Sequence, residues 1–96
     1  MIQGVVGKMT QDVYDGVNSR YARKLPGEIH DRARRLLDQI NAAPTLDFLR
    51  IPPSNRLEKL RGDKKGFWSL RINDQWRIIF QWDGKDAVNV EITDYH

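Results

Sequence analysis

Chemistry in this chain must come from arginines, lysines, two histidines and a set of carboxylates. Its 96 residues include no cysteine, which removes a thiolate nucleophile, a thiolate metal site and a disulfide scaffold together. Neither His30 nor His96 has a second histidine or a carboxylate pair at metal-ligand spacing, and no glycine-rich loop of the nucleotide-cradling kind occurs. The sequence therefore predicts no metal and no cofactor. What remains is positive charge. Sixteen Lys and Arg against thirteen Asp and Glu leave a net charge of only +3, but the excess is unevenly placed. From Arg20 to Arg35 there are six basic residues and two acidic, from Arg56 to Arg77 seven and three, and from Trp82 to the end one and four. Clusters of this kind suit a polyanion such as nucleic acid, because Lys and Arg release counterions from phosphates. The first cluster reads equally well as the solvated face of a helix.

The second cluster has a geometry. Side chains along a strand alternate between faces, so Arg71 and Arg77 point away from the face that carries Trp68, Trp76 and Val90, and extending the last strand brings Tyr95 to the arginine side. Arg56, Lys59, Arg61, Lys64 and Lys65 add charge around Gly62 and Gly66, where backbone can approach a ligand closely. Any one of these arginines reads as a surface ion pair or a solubility device. Their common facing is what points to RNA on a concave basic surface.

The elements that position them follow from periodicity. In the stretch from Pro26 to Ala43, Ile29, Ala33, Leu36, Leu37 and Ile40 form one buried helical stripe, with Pro26 suited to a first turn and Pro44 to a stop. A shorter helix is predicted from about Thr10, a candidate N-cap, through Val13, Tyr14 and Val17, weakened by Gly16. A first strand fits Ile2 to Val6. After the prolines at 44–53 the period changes to two. Trp68, Leu70 and Ile72 alternate with Phe67, Ser69 and Arg71; Trp76, Ile78, Phe80 and Trp82 with Arg77, Ile79 and Gln81; Val88, Val90 and Ile92 with Asn89, Glu91 and Thr93. Asn73 to Gln75 and Asp83-Gly84 supply the turns of an antiparallel meander, and Asn55 to Arg61 is a further strand. The three tryptophans share the core face, and His30 reads as a solvated surface residue. The expected fold is α+β, one domain over residues 1–96, with N-terminal helices on one face of a small antiparallel sheet. No apolar run has the length of a signal peptide core or a membrane span, so a cytoplasmic, membrane-free protein is expected.

The run Asn55-Arg-Leu-Glu-Lys-Leu-Arg-Gly-Asp63, then Trp68-Ser-Leu-Arg-Ile-Asn-Asp-Gln-Trp-Arg-Ile-Ile-Phe80, then Val88-Asn-Val-Glu-Ile-Thr-Asp-Tyr-His96 resembles the HigB toxins of the RelE and ParE superfamily. Order and spacing match over residues 55–96. The N-terminal half is similar only in its helical pattern and in its Leu-Asp-Gln-Ile-Asn-Ala-Ala-Pro ending. The resemblance implies a RelE-like fold and a ribosome-dependent messenger RNA interferase, inhibited by a HigA-like helix-turn-helix antitoxin and touching operator DNA only through that antitoxin. It also implies metal-free chemistry in which the substrate's ribose 2′-OH attacks the adjacent phosphate. The protein must then supply a proton acceptor, a proton donor and positive charge.

Carried over residue by residue, the resemblance makes Arg77 and Arg61 phosphate-holding groups with Arg71 in support, and a guanidinium fork suits that geometry better than an ammonium. His96 becomes the candidate general acid or base, since an unperturbed imidazole changes charge near neutrality. Tyr95 would orient the 2′-OH or stack on a base, and Asp94 would position His96 or the nucleotide. Arg56, Lys59, Lys64 and Lys65 are expected RNA contacts on the strength of their own charge beside this site. Two positions depart from the family pattern. Glu58 stands where some members have histidine, and either acts as a base or neutralises Arg61 or Lys59. Arg61 stands where some have lysine, and its permanently ionised guanidinium is a poor proton donor. Two other readings remain open: a ParE-like inhibitor of DNA gyrase without catalysis, and a basic RNA- or DNA-binding corepressor module.

Overall fold

The computed structural model describes residues 1–94. Helix α1 (Lys8–Asp15) and helix α2 (His30–Ala42) precede a four-stranded sheet of β1 (Glu58–Lys59), β2 (Phe67–Arg71), β3 (Trp76–Trp82) and β4 (Ala87–Asp94). Strand order is β1-β2-β3-β4 and every pairing is antiparallel. The expected α+β architecture and meander are both present. No helix among the described residues is long and apolar enough to cross a membrane.

Helix α2 forms because its apolar positions recur at helical spacing. Ala33, Leu36, Leu37 and Ile40 are fully buried, and Ile29 packs at the edge. They meet Leu70, Ile78, Phe80, Val90 and Ile92 on one face of the sheet, and each large side chain so enclosed contributes about 1.5–3 kcal/mol. Trp68, Trp76 and Trp82 rim that core, as their alternation predicts. The helix starts later than the sequence suggests. Gly27–Ile29 make a 3-10 turn after Pro26, and Ala43 is already extended ahead of Pro44, as a residue before proline prefers.

Arg32 belongs to the first basic cluster, yet it is a tie within the fold. Its Nε donates to Ile72 O at 2.8 Å, and its Nη2 to Arg71 O at 3.1 Å and Ser54 O at 3.4 Å. It thereby clamps α2 to the end of β2. His30, expected to be solvated, is half-buried and donates from Nε2 to Leu25 O at 2.7 Å, which closes the turn entering α2.

Helix α1 differs at both ends from the expectation. Gly7 is its N-cap, and Gly16 does not weaken its interior but ends it, at φ 73° with its N–H returned to Asp12 and Val13. Thr10 is therefore not a cap. It is buried inside the helix, and its hydroxyl accepts from Ile92 N at 2.9 Å, which fastens α1 to β4. Asp12 is buried too. The Ser19 hydroxyl donates to it at 2.6 Å and Lys8 Nζ lies 3.1 Å away, and Ser19 is the first cause holding its carboxyl below the usual aspartate value.

Three further differences sit in the sheet. The strand expected over Asn55 to Arg61 shortens to Glu58–Lys59, because Arg56 takes φ 48° after the Pro53–Asn55 turn and Gly62 takes φ 66° beyond it. The expected N-terminal strand is an extended segment bridging β4 in parallel at Ile2↔Ala87 and Val5↔Val90. A register shift in the β3–β4 ladder leaves Asn89, at φ 53°, as an extra residue. Val88 consequently pairs with Gln81 on the face opposite Val90, where strict alternation had put both valines together. The β3–β4 turn is held by Asp83, whose Oδ1 accepts from Asp86 N at 2.6 Å and Lys85 N at 2.9 Å; these bonds lower its pKa.

Candidate RNA-binding face

Both helices lie on one side of the sheet, and register defines what the other side presents. Three rows cross it. The first is Arg71, Arg77 and Thr93; the second Glu58, Ser69, Ile79 and Glu91; the third Leu60, Phe67, Gln81 and Val88, with Leu60 placed opposite Phe67 by its N–H to Phe67 O at 2.9 Å. Successive rows are two residues apart, about 7 Å along the strands.

Arg71 and Arg77 are direct cross-strand partners. Ile72 N donates to Trp76 O at 2.9 Å, so the arginine pair one step further along is of the non-hydrogen-bonded kind, whose side chains approach most closely. Like charges in that position repel. Asp74 in the β2–β3 turn ion-pairs with Arg71 and relieves part of the repulsion. A phosphate over the pair would be attracted by both guanidiniums. The turn that sets this register is itself held by Asn73 Oδ1, which accepts from Trp76 N at 2.7 Å and Gln75 N at 2.9 Å.

The remaining predicted residues divide. Arg61 follows Leu60, so it lies just past the end of β1 and beyond the third row, more than two rows from Arg77. With Lys59, Leu60, Gly62 and Lys65, Arg61 lines a pocket of about 320 Å³. Lys64 stands over the Phe67 ring at 5.6 Å. Lys59 departs from the arginine face: it pairs with Trp68 and holds its ammonium 5.9 Å from that ring, on the helix side. Arg56 is exposed at the close of the Pro53–Asn55 turn.

Glu58 sits opposite Ser69 on the arginine face, exposed, and among the described residues no close ion pair joins it to Arg61 or Lys59. Asp94 pairs with Trp76 on the opposite, helix-bearing face, where Gln75 Nε2 donates to it at 3.0 Å. Tyr95 and His96 lie outside the described residues. Among those described, no three His, Asp or Glu side chains gather as metal ligands.

Alternation already set Phe67 and Gln81 on this face, but nothing in the sequence marked Asn89 as a bulge, so the place of Val88 in the third row was not foreseen.

Comparison with known proteins places this arrangement. Residues 9–96 match the family described as the RelE-like toxin of the type II toxin-antitoxin system HigB. Toxin HigB-1 of Vibrio cholerae serotype O1 is 45% identical over 67 residues, 70% of this chain and 70% of its own length. Endoribonuclease HigB of Proteus vulgaris is 33% identical over 72 residues, covering 75% and 77%. In fold, the chain is similar to a chain of the YoeB-YefM complex from Staphylococcus aureus, with TM-score 0.62 and 18% identity over 100% of this chain and 98% of that one. It is similar also to YafQ from E. coli strain BL21(DE3), with TM-score 0.59 and 18% identity over 98% and 91%. The match over nearly its whole length and the identity to two HigB proteins show that this chain belongs to the HigB-like family of RelE-like toxins of type II toxin–antitoxin systems.

Proposed function

We propose that this toxin is an endoribonuclease that cuts messenger RNA during translation, on the ribosome, by attack of a ribose 2′-OH on the adjacent phosphate. The observation that carries the reading is the directly opposed Arg71 and Arg77 on the sheet face that no helix covers. Two guanidiniums held there stabilise the extra negative charge of a five-coordinate phosphate more than they stabilise its ground state, which is what accelerates a reaction. The relative named Endoribonuclease HigB supports RNA cleavage as the activity.

In this reading Arg77 grips the scissile phosphate, Arg71 adds charge, and Arg61 with Lys64 and Lys65 holds the RNA further along. Arg56 and Lys59 contribute long-range attraction from the margin. His96 moves the proton, Tyr95 orients the 2′-OH, Asp94 positions the terminus, and Glu58 is a second candidate base. The inhibitor is a HigA-like helix-turn-helix antitoxin, through which the complex meets operator DNA, and the compartment is the cytoplasm. Ribosome dependence follows from scarcity of catalytic groups: a site without a preformed nucleophile needs its substrate bent into line, and a decoding site can impose that geometry.

The test is to incubate a defined messenger RNA with the purified toxin, with and without programmed ribosomes, and to map ends by primer extension. Cuts appear only with ribosomes. Intact RNA in both, together with inhibited supercoiling by gyrase, would move the chain to the non-catalytic reading.

A further inference from the structure

Strand β4 is the last of the four in sheet order, and its outer backbone groups need partners from elsewhere in the chain. The N-terminal segment meets the first of them. Ala87 N donates to Met1 O at 3.0 Å and Val90 N to Gly4 O at 2.9 Å, while Ala87 O and Val90 O accept from Gln3 N and Val6 N at 2.8 Å each. That segment then turns at Gly7 to become α1. The next outward N–H, at Ile92, is met by a side chain: the Thr10 hydroxyl accepts from it at 2.9 Å. Thr10 is 1% exposed. A valine would fill nearly the same volume, so packing alone does not call for an oxygen there.

Where this bond falls matters for the chemistry. Ile92 pairs with Ile78 in the core, and the next pair along is Thr93 with Arg77, in the first row of the open face. Asp94 closes the strand, and Tyr95 and His96 follow in sequence. On the other side of Ile92 the strand carries the bulge at Asn89, and a bulge bends its strand and strengthens the local twist. Beyond the bulge, the course of β4 is therefore set by two lines of bonds, to β3 along one edge and to Gly4 and Thr10 along the other. Thr10 is too deeply buried to touch RNA, but the residue it holds is the neighbour of the one opposite Arg77.

We propose that Thr10 is a positioning residue of the reaction: by holding Ile92 it fixes the end of β4 against Arg77, and with it the proton transfer assigned to His96. The inference rests on the interferase reading. Its test uses the full chain on programmed ribosomes. Thr10→Val keeps the outline of the side chain and removes the acceptor, whereas Thr10→Ser keeps the acceptor. In single-turnover cleavage at saturating toxin, the rate of Thr10→Val falls by about tenfold, a part of the roughly 100-fold or more that a positioned proton-transfer group contributes. The toxin concentration giving half the maximal rate does not change, and Thr10→Ser recovers most of the rate.

A double-mutant cycle with His96→Ala then shows whether the loss passes through the proton-transfer group. Without His96, Thr10→Val costs no further rate, because there is no longer a group to misplace; a merely structural role would lower the rate by the same factor in both backgrounds. Equal losses with and without His96 overturn the proposal. So does a Thr10→Val toxin that cuts at the wild-type rate, or a Thr10→Ser toxin no faster than Thr10→Val. His96→Ala cutting as fast as wild type overturns it together with the His96 assignment, while the interferase stands. Should wild type cut nothing on ribosomes, the interferase reading fails and takes the proposal with it. If Thr10→Val does not fold, exchanging the Ile92 amide for an ester removes the donor and leaves α1 untouched, and the same rates decide.

Discussion

Arg77→Ala leaves the toxin folded and stops it cutting. The cleavage rate on translated messenger RNA falls by about 100-fold or more, the loss typical of removing one preorganised group that stabilises transition-state charge. The melting temperature stays close to that of the wild type, because Arg77 lies on the sheet face away from the hydrophobic core and its loss empties no core volume. Arg77→Lys recovers part of the rate, since it restores charge without the two-pronged geometry. Growth arrest on expression, single-turnover cleavage and a thermal melt together check this. A folded Arg77→Ala protein that cuts at the wild-type rate would remove Arg77 from the site.

Phe80→Ala produces the opposite phenotype. Phe80 is fully buried, the largest side chain so enclosed, and sits opposite Trp68 where α2 meets the sheet. Emptying that volume costs about 3–5 kcal/mol, a large share of the roughly 5–15 kcal/mol that holds a domain together. The urea midpoint drops accordingly, with the slope of the transition unchanged. Cleavage is then lost because folded protein is lost. The two variants separate the faces of one sheet: its helix-covered side carries stability, its open side carries chemistry. An equilibrium unfolding curve for Phe80→Ala indistinguishable from wild type would contradict the core described above.

How much of this was legible in the sequence depends on which rule each residue obeys. Periodicity found α2 and the three long strands, since Leu36, Leu37, Ile40, Ile78 and Phe80 are buried where spacing puts them. Alternation alone placed Arg71 and Arg77 together on the open face. The same rule failed at Val88, because a single extra residue at Asn89 reverses the faces of everything before it in β4, and no turn signal announces such a bulge. Composition misled at Arg32 and His30. Both looked like solvated cations, yet Arg32 bonds carbonyls that only the tertiary fold brings within reach, and His30 bonds the Leu25 carbonyl in the turn before its own helix. Lys59 was read by its charge, and its strand parity turns it toward Trp68. Local spacing is readable in one chain; a partner forty residues away is not.

In the proposed reaction the substrate's own 2′-OH is the nucleophile, and the basic sheet face supplies charge. A decisive check programs ribosomes with a message carrying a single 2′-deoxynucleotide immediately 5′ of a mapped cut. Removing that hydroxyl abolishes cleavage at that phosphate and leaves cleavage elsewhere in the message unchanged. Undiminished cutting at the deoxy position would mean that water or a protein group attacks the phosphate, and the account of Arg77, Arg71 and the open face would have to be rebuilt around that nucleophile.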